Sequence, residues 1–393
     1  MDVHDTATLP ASETSAAPHL ALLHGCMFLS GFGTIFLGPT LPALAASAGT
    51  SDSGSGLFFA AQFLGAFLGG LTTNSRLWFC LLRGSAAAAF GFAALSQCAR
   101  LHTSLPWTAA ALLPLGFGVG QMLTSLNLLA SRSLSSGRAS ALSLVNLSWS
   151  LGAVVAPIAL GGLLGAAPLS VLLASVGGCF ALAVLAAARN ASHGRCIALP
   201  HLSAARARLP RTAFLYFAAL LLLYGGVETC LSGWVTTFGI RYGSGSVQTS
   251  ALGATALWIG ITAGRGLAAV LLQRIREGTL LTAALSLATL LVVVLSQAHG
   301  PVAITVTAGL LGMALAPWFP VVLSAMLGEG ATAGETGTII AVSGLGAASL
   351  PLLLGIVSRS SGSLRIALAV PLTGLLLLLL LSLRKSTAAH VAG

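Results

Sequence analysis

Charge is what this sequence has least of. Only 7% of its 393 residues are Asp, Glu, Lys or Arg, and only eight of those are acids. A water-soluble domain needs far more polar surface, so water is not the main solvent of this chain. Seven of the acids fall in a tail or in loops: Asp2, Asp5, Glu13, Asp52, Glu277, Glu329 and Glu335. The eighth, Glu228, is alone within a long apolar run, and one such acid without a buried histidine partner lacks the parts of an intramembrane enzyme. No G-x-x-x-x-G-K-[ST] occurs, which disfavours ATP-driven work by this chain alone. The six cysteines (Cys26, Cys80, Cys98, Cys179, Cys196, Cys230) show no C-x-x-C spacing, so they are expected as small apolar filler, with no metal and no disulfide frame. No cofactor is implied. The net charge of +10 is spread over many short loops, so no nucleic-acid partner is expected.

What the sequence has in abundance is apolar length. Its mean hydropathy is +0.96. A membrane-spanning helix needs about 20 mostly apolar residues. Twelve stretches qualify, near 19–47, 55–73, 77–99, 105–130, 140–164, 168–188, 212–239, 249–272, 279–297, 301–327, 336–358 and 364–383. The first and tenth are long enough to tilt or kink, and carry Pro39 with Pro42 and Pro317 with Pro320. No stretch alternates as a β-barrel strand does. With the N-terminus inside, cytoplasmic segments hold twelve basic residues and outer loops four: Arg100, Arg241, Arg359 and Arg365. That asymmetry places both termini in the cytoplasm, in a multi-pass protein of the plasma (inner) membrane surrounded by lipid. Residues 1–18 are polar and acidic, which suits a disordered cytoplasmic tail better than a signal peptide.

The basic polar connection 189–211 divides the chain into two six-helix bundles, 19–188 and 212–384, followed by a cytoplasmic tail, 385–393. The halves echo each other. GAVVAP at Gly152–Pro157 returns as GAASLP at Gly346–Pro351, an offset of 194, and LGFGVG at Leu115–Gly120 is answered by LGMALA at Leu311–Ala316, an offset of 196. Two such halves, related by an axis along the membrane normal, are the plan of rocker-type secondary transporters, with a substrate site between them. The fold expected is therefore an all-α membrane protein of twelve transmembrane helices in two pseudo-symmetric halves.

Specific motifs sharpen this. Tyr224, Gly226, Glu228 and Trp234 form Y-x-G-x-E-x-x-x-x-x-W, and Trp258, Gly260, Gly264 and Arg265 form W-x-G-x-x-x-G-R. G-x-x-x-x-P-x-x-P follows at Gly312, Pro317 and Pro320, while the first half carries G-P-x-L-P at Gly38–Pro42 and N-x-x-W-x-x-G-x-x-x-x-P at Asn146–Pro157. Over essentially its whole length the chain resembles the major facilitator superfamily, and within it the fucose/glucose–galactose permease-like sugar transporters. Two departures stand out. The superfamily pattern G-x-x-x-D plus a basic residue here reads Gly70, Asn74, Ser75, with Arg76 one place late. The resemblance also implies acids in the first and fourth helices, but the first has none, and the fourth-helix position is Leu123, four before Asn127.

A charge at the membrane centre costs at least ~2.5–3.5 kcal/mol, so Glu228 is expected to face a cavity or a partner. It either accepts sugar hydroxyls, carries protons, or locks its helix to a neighbour as a protonated bond. Tyr224, Glu228 and Ser232 share one face at i, i+4, i+8. The amides Gln62, Gln121, Asn127 and Asn146 are candidate hydroxyl partners, with packing as the alternative for each; Ser143, Asn146 and Ser150 line up beside Trp149. Trp149, Trp258 and Trp318 lie inside helices, where they either pack or offer a flat surface to a sugar. Arg265, Asn74 and Arg76 are expected at the inner gate, and His24 is a second candidate for proton coupling, or else a packing residue. The function expected is secondary active or facilitative transport (symport, if protons drive it) of a small neutral solute by a monomer, with a monosaccharide as the class the resemblance implies. Efflux of drugs or amphipathic metabolites by the same fold, and a non-transporting sensor or scaffold, are the alternatives.

Overall fold

In the computed structural model the described residues are 16–133, 138–191, 208–243 and 245–391. The first half comprises α1 (Ala16–Ile35) with α2 (Leu37–Ser47), α3 (Asp52–Leu71), α4 (Leu77–Leu101), α5 (Leu105–Ser133), α6 (Arg138–Leu163) and α7 (Leu169–Ala191). The second comprises α8 (Arg211–Tyr242), α9 (Val247–Leu271), α10 (Glu277–Gln297), α11 (Pro301–Leu315) with α12 (Trp318–Gly328), α13 (Ala333–Ser361), and α14 (Leu364–Ala367) with α15 (Ala369–Val391). Among the described residues, eleven runs are long and apolar enough to cross a membrane singly, and the pair α1–α2, bent by 48°, makes a twelfth when taken as one span. Helices are what a bilayer requires, because each satisfies its own backbone where no water can.

The first of the two passes expected to tilt or kink is bent, and in the tenth the helix is interrupted. The first pass breaks at Phe36, whose ring is buried edge-on against Phe92 at 4.9 Å, with Phe180 stacked behind Phe92 at 5.3 Å. The tenth breaks at Ala316–Pro317, where proline removes a backbone donor. Tyr224 of α8 covers that break: its hydroxyl donates to the Leu315 carbonyl at 3.3 Å, and its ring stacks on Trp318 at 5.2 Å.

Within each half the helices pack through small residues. A Cβ on Gly31 would run into the Trp149 carbonyl, so glycine there sets how closely α1 carries α6. Between halves, α3 packs on α13, α6 on α9 and α2 on α8. The five described cysteines are unpaired. The expected tail, 1–18, lies outside the described residues as far as residue 15, and most of the connection at 192–207 lies outside them too. At the other terminus α15 continues as helix to Val391, into the stretch expected as a tail.

Candidate functional site

A cavity of about 80 Å³ lies between the two halves. Thr34 and Ile35 reach it from α1, Gly38 from α2, Phe59 and Phe63 from α3, and Trp149 from α6. The second half contributes Glu228, Thr229, Ser232 and Gly233 from α8, and Trp258 from α9. The bend at Phe36 lets one pass supply residues from two helix directions.

Glu228 is half-buried and faces this space. The Tyr224 hydroxyl neighbours its carboxylate, and Arg265 of α9 is close enough for its charge to act on both groups. Trp149 and Trp258 meet edge to face across the halves, with ring centroids 5.5 Å apart. The Nε1 of each indole is buried and has no protein acceptor. A buried N–H without a partner costs roughly 1–3 kcal/mol, and Trp234 and Trp318, outside the lining, carry the same unpaired Nε1, so what sets Trp149 and Trp258 apart is that their rings line one cavity with a carboxylate. Thr34 and Thr229 donate to their own helices, at Ser30 O and Gly225 O, leaving their oxygen lone pairs turned to other use.

Of the residues singled out in the sequence, Glu228, Ser232, Trp149 and Trp258 come together here. Gln62 lies beside them without lining the space: its Nε2 donates to Gly33 O and Thr34 O at 3.3 and 3.0 Å, and its Oε1 is buried without a partner. Tyr224 and Trp318 stand behind the wall as a stacked pair. Gln121 is elsewhere. It accepts from Arg83 Nε at 2.9 Å, while Arg83 Nη2 donates to Thr72 O, so together they staple α4 and α5 to the end of α3. Asn127 donates to Leu123 O and accepts from Asn146, away from the cavity. Of the serines expected beside Asn146, Ser150 is buried, and the side chain of Ser143 lies outside the described residues. His24 hydrogen-bonds Ser148 at 2.7 Å. Asn74 accepts from the Arg76 backbone N–H at 2.9 Å and from the Cys80 thiol, a turn that ends the α3–α4 loop.

Sequence reasoning missed Thr34, Phe59, Phe63 and Thr229. Thr34 and Gly38, and likewise Phe59 and Phe63, repeat at i, i+4, but in an all-apolar segment that spacing has no polar face to stand against. A wider hollow of about 450 Å³ opens beside Arg100 and His102. It is confined to α2, α4 and α7 of the first half, off any path between halves.

Comparisons with known proteins agree with this architecture. A search of curated protein sequences finds no match. Among solved structures, a major facilitator superfamily transporter, FucP, in its outward conformation is 18% identical with a TM-score of 0.60, over 93% of this chain and 97% of that one. A bacterial homolog of the human lysosomal transporter Spinster, inward-facing and unoccupied, is 13% identical with a TM-score of 0.72, over 95% and 97%. The nucleoside transporter NupG, as a mutant, is 13% identical with a TM-score of 0.71, over 94% and 99%. These likenesses show the fold. The family model for the Major Facilitator Superfamily matches residues 23–329, and the chain, with its twelve passes and its cavity between halves, belongs to that superfamily of membrane transporters.

Proposed function

We propose that the chain moves a small neutral solute, a monosaccharide by class, across the membrane by alternating access of the cavity around Glu228. The observation that carries this is a carboxylate and two indole rings lining one cavity, on helices from both halves. Sugars offer hydroxyls that both donate and accept, and C–H faces that lie against aromatic rings. Glu228 would accept a hydroxyl, and Trp149 and Trp258 would donate to ring or hydroxyl oxygens. Phe59 and Phe63 would supply apolar wall. The likeness to FucP, a fucose:proton symporter, supports the same class.

The cavity is smaller than the roughly 300–1,000 Å³ of typical ligand sites. On this reading it is the contracted core of a site that widens as the halves rock. Asn127, Asn146 and Gln121 then act as scaffold, and Gln62 as a support of the α1 backbone beneath Thr34. Arg265 serves Glu228 as an electrostatic partner. The protein sits in the plasma membrane with both termini in the cytoplasm.

The test is uptake into proteoliposomes across a panel of sugars, with and without an imposed pH gradient. Saturable flux of at least one monosaccharide is expected, and no flux under any condition would sink the proposal. If Glu228 couples protons, Glu228→Gln abolishes gradient-driven accumulation while exchange persists. Unchanged accumulation in that variant removes Glu228 from the coupling step.

A further inference from the structure

The junction between halves holds a charged cluster that substrate binding leaves unused. It lies at the end of the bundle opposite Arg211, the far end hereafter. Asp52 opens α3 in the first half. Arg241, in the last turn of α8, meets it with two nitrogens: Nη1 donates to Oδ2 at 2.7 Å and Nη2 to Oδ1. Ser358 of α13 donates to the same carboxylate at 2.5 Å. Beside it, Arg359 Nη1 donates to Ser53 Oγ at 3.1 Å. One carboxylate thus ties two helices of the second half to the first.

The backbone beneath is equally close. A Cβ on Gly355 of α13 would strike the Asp52 carbonyl, and one on Gly56 of α3 would stand 2.8 Å from Leu352 Cα. So close an approach at the same end as the ion pair means that opening this end parts both contacts. The Asp52 and Arg241 side chains are 16% and 38% exposed. Two parallel charge-assisted bonds exceed an ordinary surface pair in strength, and partial exposure trims that gain.

The other end is built differently. Asn74 stands where the superfamily pattern has an acid, and its carbonyl is committed to Arg76 and Cys80. Arg83 is committed to Gln121 and Thr72. All of these lie in the first half. α5 likewise packs on α1, α3, α4 and α6 of its own half.

Resting on the alternating-access reading, we propose that Asp52, Arg241 and Ser358 form the latch that holds the far end shut, and that its release lets the cavity turn to that side. The alternative is a static brace that persists in every state.

The test uses the full chain with its six native cysteines replaced, spin-labelled at Leu101→Cys on α4 and Val302→Cys on α11, in lipid nanodiscs without substrate. Both positions are exposed, at the far end, in opposite halves. Dipolar spectroscopy should give one short distance in the parent. Asp52→Asn and Arg241→Gln should each raise a longer, far-end-open population about three- to tenfold. The swap of Asp52→Arg with Arg241→Asp should return the distribution toward the parent. Distances unchanged in both single variants, or a swap as open as either, would overturn the latch. If a charge variant fails to fold, as judged by gel filtration, Ser358→Ala reads the same equilibrium with a smaller expected shift, and no shift there overturns the proposal. Because no substrate is present, absent sugar flux would count against the transport proposal and leave this result standing.

Discussion

The two halves use their polar groups differently. In the first half most are turned inward on the half itself: Gln62 holds the α1 backbone, Gln121 holds Arg83, Asn127 holds Leu123, and His24 holds Ser148. The second half directs its key groups outward. Glu228 and Trp258 face the cavity, while Arg241, Ser358 and Arg359 reach across to α3. On the proposed reading the first half is a frame with an aromatic lining, and the second the partner that would meet both the solute and the frame. Polar groups within a membrane are costly unless they find partners, and in the first half those partners lie mostly within the same half.

Three substitutions probe this contrast. The largest effect on folding is expected from Gln121→Leu, which leaves the Arg83 guanidinium without its side-chain acceptor. Losing a bond to a charged group costs roughly 2–3 kcal/mol, so thermal unfolding in detergent should shift clearly downward, while protein that does fold keeps its substrate affinity. Trp258→Phe keeps a ring and removes the N–H. Its affinity for substrate should fall about five- to tenfold, with unfolding nearly unchanged, as measured by titration calorimetry and a thermal melt. Should the melt move and the affinity stay, Trp258 belongs with the frame and the contrast fails. The smallest effect is expected from His24→Ala, which removes one hydrogen bond worth about 1 kcal/mol. Proton-driven accumulation should persist; its loss would move coupling from the second half to the first.

The passes were legible in the sequence because a span is a matter of length and apolarity, and both are local. Pro39 and Pro317 announced the two breaks for the same reason. Glu228 was legible as a solitary charge in lipid. Asn146 was not, because its stripe with Ser143 and Ser150 said nothing of Asn127, its partner from another helix. Asp52 read as a loop acid, since Arg241 and Ser358 stand 189 and 306 residues away and share no local pattern with it. Phe59 and Phe63 vanished into an apolar helix, where the contrast that marks a face in water is missing.

The bend at Phe36 has a mechanical consequence. Below it, α1 is fastened to its own half, where Gly31 sits on the Trp149 backbone. Above it, α2 touches both halves: Gly38 stands against Ser232 and Gly233 of α8, while Ser47 donates to the Ala99 carbonyl of α4. The upper part of the first pass is therefore held by both bodies at once. On the alternating-access reading proposed above, a tilt of those bodies either flexes the elbow or parts α2 from α8. In both cases the wall at Thr34, Ile35 and Gly38 would change shape with the tilt, and cargo pressing on that wall would have leverage on the motion.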